Sequence, residues 1–418
     1  MKKKKGFTLV ELLAVIVILA VILIIAVPQI MNTIKTTRLK SIEDSARLIA
    51  TNAEKDYLSQ QAINQNYNAT SIPCSDVAKL SDDYASCTIT YNDSGVATVK
   101  LKGANGGKFS GVTCTGTKDN MKCKEKVVLP GYSDAVELLT SKIGTGGLIK
   151  DDHNELRYQG INPDNYVTFN DEEAGWRIVG LFNVDGEQRV KLVRKDSIGR
   201  FSWDSSDAEV NSGYGINQWG PSTYTNGTPY EGADVMRLLN NYYYNGIESG
   251  TCYSSEANKT VTCTFTGLTI EAKKLIETTT WYLGGGSHNS NLTQEYKSER
   301  QTSHVKNPSD AVIRTDKWQG MVGLVYPSDF GYASGNSGCA NNLAVNSYCN
   351  QNWMENYGWT ITSSDEYGFA YRALDIFNRG ISYEYAYAGS SIHPSVYLIP
   401  GVQIKGSGTT ADPYVFAE

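Results

Sequence analysis

Glu11 is the residue whose surroundings restrict its chemistry most. It precedes a stretch without charge from Leu12 to Ile34, and four lysines, Lys2 to Lys5, come before it. The apolar run Leu12–Val27 with its flanks is long enough to cross a hydrocarbon core of roughly 30 Å, and the lysines predict a cytoplasmic start. An unpaired acid near a membrane is costly, so Glu11 is expected to be functional and to have a counter-charge.

Together with the residues before it, Glu11 completes a specific pattern. The basic leader ends in Gly6, Phe7 follows, and Glu11 is the fifth residue counted from Phe7. This pattern resembles the N-terminus of type IV prepilins. The resemblance implies cleavage after Gly6 by prepilin peptidase and methylation of the new N-terminal Phe7. It also implies that the amine of Phe7 pairs with Glu11 of a neighbouring subunit when the helices bundle into a filament.

Pro28 lies near the end of the apolar run. It has no amide hydrogen and clashes with the carbonyl of Ile24, so we expect the helix to loosen or kink there. In the pilin family this is where the long helix tends to melt during assembly. Apolar residues then recur at helical spacing among charged ones, which predicts an amphipathic helix leaving the membrane. The predicted segments are a leader at 1–6 and a membrane-spanning and amphipathic pilin helix at 7–58.

Two other interpretations fit the basic and apolar regions. A secretory signal peptide would end in a small-residue cleavage site, whereas Ala26-Val27-Pro28 would place a proline just after the cut. An uncleaved membrane anchor would leave Gly6-Phe7 and Glu11 as coincidences. Both are less favoured than the prepilin interpretation.

Composition and charge restrict the class of partner. The chain has 418 residues, 40% of them hydrophobic, which leaves room for two folded domains after the apolar segment. Without the four leader lysines it carries 34 basic and 44 acidic side chains, a net charge of −10. An acidic surface disfavours nonspecific binding to nucleic acid. Nucleic acid is therefore not expected as a partner.

The eight cysteines form four groups of two, each with members about ten residues apart and without CxxC spacing. An even number outside the membrane indicates disulfides, and although eight cysteines allow 105 connectivities, the grouping favours local bridges over a metal site. The predicted pairs are Cys74–Cys87, Cys114–Cys123, Cys252–Cys263 and Cys339–Cys349.

Strand and turn patterns divide the remaining chain. Residues 59–128 contain the strand-like runs Cys87–Tyr91 and Val96–Lys102 with turn residues between them, which predicts a hairpin. Packed on the amphipathic helix, this sheet would complete a small pilin β domain. The predicted fold class is therefore α+β, with a long N-terminal helix on a small antiparallel sheet and a larger, mainly β domain after it.

A short helix and linker are predicted at 129–150, with Ser133 as the N-cap and a glycine-rich stretch at the end. The C-terminal extracellular domain follows at 151–418. Its strands Trp176–Phe182 and Gln188–Arg194 flank an Asp-Gly turn, which predicts an antiparallel hairpin.

Short segments of this domain carry a second resemblance. They are Asn165–Phe169, Trp176–Gly180, Val325–Asp329, Trp359–Ser363 and His393–Leu398. They are similar to a large extracellular domain that recurs in surface proteins of Gram-positive bacteria, which is distantly similar to the C-type-lectin-like and sulfatase-modifying fold. In those relatives an Arg commonly precedes the matched proline, where this chain has His393, so any role of that Arg is not carried over.

The sequence contains little that is typical of an enzyme. It lacks phosphate-loop, nucleophile-elbow and HExxH motifs, and its four histidines are far apart in sequence, at His153, His288, His304 and His393. The EPN, QPD and WND tripeptides of sugar-binding C-type lectins are also missing. Asp204, Asp207 and Glu209 offer oxygens that suit calcium, but a solvated acidic loop is the preferred interpretation. We therefore predict no enzymatic activity, no cofactor and no bound metal.

Tyrosines are the remaining indication of ligand binding, and there are 27 of them. A consecutive and an alternating group are the candidates for a ligand surface, namely Tyr242, Tyr243, Tyr244, Tyr383, Tyr385 and Tyr387. Alternation places the last three on one face of a strand. Core packing is the favoured interpretation, whereas exposed rings would offer flat amphipathic contacts to a glycan or a protein.

These features predict a type IV pilin-like subunit that displays its C-terminal domain for surface adhesion or ligand recognition. The large head favours a minor or tip position. A secretion or competence pseudopilin shares Gly6, Phe7 and Glu11 and is the alternative, and a membrane-anchored surface enzyme is the third hypothesis. We expect a single-pass membrane protein that becomes part of an extracellular filament. Its expected partners are other pilin subunits, prepilin peptidase, and a glycan or protein ligand.

Overall fold

The computed structural model describes residues 9–65, 67–104, 107–126, 128–205, 215–254, 259–301, 312–344, 349–364 and 371–417. The chain divides into two compact units, here called the first unit (Met1–Val127) and the second unit (Val128–Glu418). Each unit has its own hydrophobic core. The architecture is α+β, as predicted.

The first unit consists of one long helix and one antiparallel sheet. Its elements are α1 (Leu9–Ile63), β1 (Ser71–Pro73), β2 (Tyr84–Tyr91), β3 (Ala97–Gly103), β4 (Val112–Gly116) and β5 (Met121–Glu125). The five strands pair in sequence order. The predicted hairpin is confirmed as β2 and β3, with Tyr91 opposite Ala97. Helix α1 ends at Ile63 rather than near residue 58.

Helix α1 packs on this sheet through one face. Residues at three- and four-residue spacing are buried, and they are Ile42, Ala46, Ile49, Ala50, Ala53 and Tyr57. This spacing brings side chains onto one side of a helix, and the three alanines allow a close approach. On the sheet, β3 alternates between buried and exposed residues, so Val99 and Leu101 face the helix core.

Charged residues flank that apolar contact. Lys35 and Arg38 of α1 contact the two carboxylate oxygens of Glu125, at 2.8 and 3.3 Å, and Lys118 contacts Glu54 of the helix at 2.7 Å. Within the described part of the chain, no helix combines the length and the apolar character needed to cross a membrane.

The second unit contains the remaining helices and strands. The helices are α2 (Ala135–Ser141), α3 (Asp234–Arg237), α4 (Ile270–Lys274), α5 (Leu292–Glu299) and α6 (Pro327–Ala333). The strands are β6 (Ser133–Asp134), β7 (Leu148–Lys150), β8 (Leu156–Tyr158), β9 (Tyr166–Phe169), β10 (Glu172–Val184), β11 (Glu187–Arg194), β12 (Arg200–Ser202), β13 (Ser222–Thr223), β14 (Pro229–Tyr230), β15 (Ile247–Tyr253), β16 (Thr260–Phe265), β17 (Thr279–Tyr282), β18 (Lys317–Gly320), β19 (Val322–Gly323), β20 (Gly358–Ser363), β21 (Arg372–Phe377), β22 (Gly380–Tyr385), β23 (Gly389–Ser391), β24 (Ser395–Tyr397), β25 (Gln403–Lys405) and β26 (Tyr414–Phe416).

A mixed sheet forms the centre of the second unit. Its strands follow the order β19-β24-β11-β10-β9-β26-β25-β6, and β8 joins β10 and β7. Strands β9 and β26 are parallel, and the other pairs in this sheet are antiparallel. The predicted Asp-Gly hairpin is confirmed as β10 and β11, because Asp185 and Gly186 take the positive φ angles of 54° and 78° that a tight hairpin turn requires.

The segment 129–150, predicted as a short helix and linker, folds as part of the second unit. Strand β6 pairs with β25, and β7 pairs with β8. The helix is present, but its N-cap is Asp134 rather than Ser133, because the Asp134 carboxylate accepts hydrogen bonds from the amides of Val136 and Glu137.

Large aromatic side chains fill the core around the central sheet. The largest of the fully buried side chains are Trp176, Trp203, Trp219, Trp281 and Trp359. The chain joins its cysteines as Cys74–Cys87, Cys114–Cys123, Cys252–Cys263 and Cys339–Cys349, which are the four local bridges predicted. The first two lie in the first unit and the other two in the second.

Candidate functional site

The predicted processing residues lie at the extreme N-terminus. Gly6 and Phe7 lie outside the described residues. Glu11 and Pro28 belong to α1, whose backbone continues through Pro28 as one helix, while their side chains lie outside the description. The proposed roles of these four residues therefore stay predictions.

Helix α1 has a second apolar surface besides the one that covers the sheet. Ile34, Leu48 and Leu58 are 61%, 61% and 65% exposed. Ile34 and Leu48 are fourteen residues apart, which places them on the same side of a helix, and Leu48 lies roughly opposite the buried Ala46 at 100° per residue. The helix thus carries apolar side chains on a face that the first unit's own sheet does not cover.

An open cavity of about 200 Å³ lies in the second unit. Strand β12, helix α3 with the π-helical turn that follows it, and strand β15 form its walls. Its lining residues are Phe201, Ser202, Asp234, Arg237, Leu238, Asn241, Tyr242, Thr251, Cys252 and Tyr253. The Cys252–Cys263 disulfide ties β15 to β16 and so fixes one wall.

Two carboxylates hold the polar wall of this cavity in place. Asp204 lies two residues after the end of β12. It accepts hydrogen bonds from the amides of Ile216 at 2.8 Å and Asp234 at 3.1 Å. Asp234 in turn accepts from the amide of Ser205 at 2.7 Å and forms an ion pair with Arg237. Backbone donors therefore fix Asp234, and Asp234 orients the Arg237 guanidinium.

The interpretation of Asp204 as part of a solvated acidic loop is wrong. Its side chain is only 4% exposed, and burial together with the charge of Asp234 raises the pKa of Asp204 well above its usual range. The sequence could not show this because the groups that bury it lie far along the chain. Asp207 and Glu209 lie outside the described residues.

One lining side chain is buried without a partner. Ser202 is 3% exposed, and its Oγ has no hydrogen-bond partner among the residues that the structure describes. Asn241 and Thr251 are exposed at the mouth, and the aromatic rings of Phe201, Tyr242 and Tyr253 are half-buried. The cavity thus combines ring faces with hydroxyl, amide, carboxylate and guanidinium groups.

A network of buried charges lies elsewhere in the second unit. Arg157 is 1% exposed and makes three ion pairs of 2.7 Å, with Asp151, Glu155 and Asp329. Lys191, which is fully buried, contacts the other oxygen of Asp329 at 2.5 Å. Burial alone would raise the pKa of Asp329, but Lys191 and Arg157 outweigh it and hold this pKa below its usual value.

This network links distant parts of the chain and is built like a core rather than a binding site. Asp329 also accepts the amide of Tyr326 at 2.9 Å, which fixes the start of α6. The guanidinium of Arg157 lies 4.6 Å from the ring of Phe182 and 4.4 Å from that of Tyr332. Because three carboxylates and two aromatic rings enclose the Arg157 guanidinium, which is 1% exposed, we assign this network to stability.

The tyrosine candidates fall in different places. Tyr242 lines the cavity, Tyr243 is buried in the core, and Tyr244 packs near Lys273 at 5.1 Å. The alternating group is half-buried and gathers around Arg372, whose guanidinium lies 4.6 Å from the Tyr383 ring and 4.5 Å from the Tyr385 ring. Tyr387 stacks on Tyr385 at 5.7 Å.

The described histidines have separate environments. His153 stacks on Tyr296 at 3.8 Å, and His288 meets the edge of Tyr383 at 4.3 Å. His393 is buried, and burial lowers its pKa to about 4. His304 lies outside the described residues. No group of three or more possible metal ligands occurs among the residues that the structure describes.

Sequence reasoning found Tyr242 but missed Ser202, Asp234, Arg237 and Tyr253. The only local signal was the three-residue spacing of Asp234 and Arg237, which suits a helical ion pair but is common on surfaces. The other residues come together only through the folding of β12 and β15 against α3.

Comparison with known protein families gives a match at the N-terminus. The family "Prokaryotic N-terminal methylation motif" matches residues 1–27. No curated protein and no solved structure matches the chain. The match supports a type IV pilin-like or pseudopilin-like subunit, which is processed by prepilin peptidase, inserted in the membrane and assembled with other pilin subunits at the surface. The Gram-positive origin and the lectin-like character of the second unit stay predictions.

Proposed function

We propose that this chain is a minor or tip subunit of a type IV pilus-like filament that displays its second unit for surface adhesion. The observation that carries the proposal is the methylation motif at residues 1–27, which leads directly into α1 and its disulfide-bonded sheet. A helix that starts with such a motif and leads into a folded head is the architecture expected of a filament subunit.

The exposed apolar residues of α1 support an assembly role. In a filament, Ile34 and Leu48 would be covered by helices of neighbouring subunits, while the opposite face stays on the sheet. Each of them is 61% exposed, so covering the remaining surface contributes about 1–2 kcal/mol per side chain. The same residues would stay in water if the protein were a solitary anchor.

The size of the second unit supports a position that is not repeated along the whole filament. It spans residues Val128–Glu418, more than twice the length of the first unit. A head of this size would crowd closely spaced helices, whereas a tip or minor position leaves it free. We propose that the second unit recognises a ligand rather than catalyses a reaction, because the cavity between β12, α3 and β15 holds no nucleophile hydrogen-bonded to a base among its lining residues.

The test is mass spectrometry of the N-terminal peptide from sheared surface filaments of wild-type cells and of a Glu11→Ala strain. We expect a peptide that starts at methylated Phe7, present in wild-type filaments and lost in the variant. Glu43→Ala is the matched control, since this helix acid is bound to Arg47 at 2.7 Å in its own subunit and should leave assembly intact.

Other outcomes contradict the proposal in different ways. An intact Met1 or Lys2 start in the membrane fraction would refute processing and leave an anchored ectodomain. A processed protein that never appears in sheared material would favour a secretion or competence pseudopilin. In that case saturable, salt-sensitive DNA binding would further indicate a DNA-uptake system.

A further inference from the structure

We propose that the cavity between β12, α3 and β15 binds a single uncharged sugar residue. This inference rests on the proposed function, because it names the class of ligand that the second unit recognises. Four features of the cavity lead to it: its size, its mixed walls, its buried unpaired hydroxyl and its charge.

The size of the cavity limits the ligand. Its volume is about 200 Å³, whereas sites for drug-sized molecules measure roughly 300–1,000 Å³. A compact molecule such as one pyranose ring fits this volume. Because the mouth is lined by the exposed Asn241 and Thr251, a longer glycan could extend from the bound residue into solvent.

The walls suit a molecule with an apolar face and a polar edge. Phe201, Tyr242 and Tyr253 contribute aromatic rings, and Arg237 and Asn241 contribute planar polar groups. A pyranose presents C–H bonds on one face, which pack on aromatic rings, and hydroxyls around its edge, which pair with carboxylate, amide and guanidinium groups. A purely apolar ligand would leave those polar groups without partners.

Ser202 provides an independent observation that points to a ligand. A buried hydroxyl is normally hydrogen-bonded, since leaving it unpaired is costly. Ser202 lines the cavity, is 97% buried, and has an unpartnered Oγ among the described residues. The Oγ itself exposes less than 1 Å² of surface, so a sugar hydroxyl would pair with it after a rotation about χ1, which breaks no hydrogen bond of the protein.

The charge of the cavity argues against anionic ligands. Arg237 is paired with Asp234 and, at 3.2 Å, with Glu231. Asp234 lines the cavity and balances the charge of Arg237, whereas Glu231 is 79% exposed and lies outside the lining. The lining therefore offers no unpaired positive charge to a sialylated, sulfated or phosphorylated sugar. Neutral and N-acetylated hexoses need none.

The experiment uses the full-length protein purified in a detergent that contains no sugar. Saturation-transfer NMR and calorimetric titration are carried out with the methyl glycosides of glucose, galactose, mannose, N-acetylglucosamine and N-acetylgalactosamine, with sialic acid and glucose 6-sulfate as anionic probes. We expect binding of at least one neutral glycoside and none of the anionic probes. A parallel array of neutral oligosaccharides shows whether the free residue or a glycan end is preferred.

Variants assign the binding to the cavity. Tyr242→Ala should weaken binding about tenfold, as expected for loss of one stacking ring. Tyr244→Ala is its matched control on the same turn, since Tyr244 does not line the cavity, and it should bind as the wild type does. Ser202→Ala should weaken binding about fivefold without loss of thermal stability, because the hydroxyl has no partner in the protein to lose.

The outcomes separate this inference from the proposed function. A neutral glycoside that binds the wild type and the Tyr242 and Ser202 variants equally would overturn the cavity assignment and leave recognition by another surface. Absence of binding by every neutral sugar, or binding of only the anionic probes, would overturn the ligand class. Neither result affects the processed N-terminus or the filament, which are measured independently.

Discussion

Replacement of Arg157 by Gln should destabilise the second unit strongly. The guanidinium makes three ion pairs of 2.7 Å with carboxylates that are themselves at most 10% exposed. A glutamine is two atoms shorter and can donate to one of them at most. Removing one partner from a buried ion pair typically costs about 3–5 kcal/mol, and hydrogen bonds to charged groups contribute roughly 1.5–3 kcal/mol each. We expect a loss of about 4 kcal/mol.

Tryptophan fluorescence during urea unfolding measures this loss in the full-length protein. The chain's seven tryptophans all lie in the second unit, at Trp176, Trp203, Trp219, Trp281, Trp318, Trp353 and Trp359, so the signal reports that unit alone. With an m-value near 3 kcal/mol/M for a unit of this size, the midpoint should fall by about 1.3 M. A fall of that size is several times the error of the midpoint.

Two further variants separate geometry from charge. Arg157→Lys keeps the positive charge but loses the planar fork, so it should recover less than half of the stability lost by Arg157→Gln. Arg379→Gln is the exposed control, since Arg379 is 55% exposed and pairs with Glu355 at 3.2 Å; it should cost less than about 1 kcal/mol. Equal midpoints for Arg157→Gln and Arg379→Gln would refute the reasoning.

Three further predictions concern pH and backbone strain. Burial and nearby Glu384 raise the pKa of Asp375 to about 7. Between pH about 4 and 7 the folded state therefore holds a proton that the unfolded state has lost. The free energy of unfolding falls as pH rises through this range. Asp375→Asn should therefore raise the melting temperature at pH 8 but not at pH 4. Burial lowers the pKa of His393 to about 4, so below pH about 6.5 the unfolded state binds a proton that the folded state does not. The wild type should therefore lose stability as pH falls from about 6.5 to 4, and His393→Gln should abolish this pH dependence. Gly95 has φ of +74°, and a Cβ there would lie 2.5 Å from the Tyr57 ring; Gly95→Ala should thus speed amide exchange in the β2–β3 hairpin, and an unchanged rate would contradict this.

Much of the first unit could be predicted from sequence because its determinants are local. The β2–β3 hairpin follows from turn residues between two strand-forming runs, and the Cys74–Cys87 and Cys114–Cys123 bridges join residues 13 and 9 positions apart. The helix face on the sheet follows from its three- and four-residue spacing. The same local logic predicted the β10–β11 hairpin and its Asp-Gly turn in the second unit.

Local patterns misled where burial depends on distant residues. The acidic residues that follow Asp204 predict a solvated loop, yet the amides of Ile216 and Asp234 donate to it from 12 and 30 positions away. The 129–150 segment looked like a linker because it is glycine-rich, yet its strand β6 pairs with β25, almost at the end of the chain. No pattern in the sequence around Asp204 or around residues 129–150 indicates these distant contacts.

The N-terminal methylation motif at residues 1–27 is visible in the sequence alone, because a processing enzyme is expected to act on Gly6 and Phe7 in a linear peptide, without a fold. The chemistry of the second unit depends instead on tertiary structure. Arg157 meets Asp329 across 172 positions, and the cavity joins Ser202 to Tyr253. Burial and charge pairing arise between surfaces that meet only on folding, so the chemistry of a side chain there is set by residues that no local pattern contains.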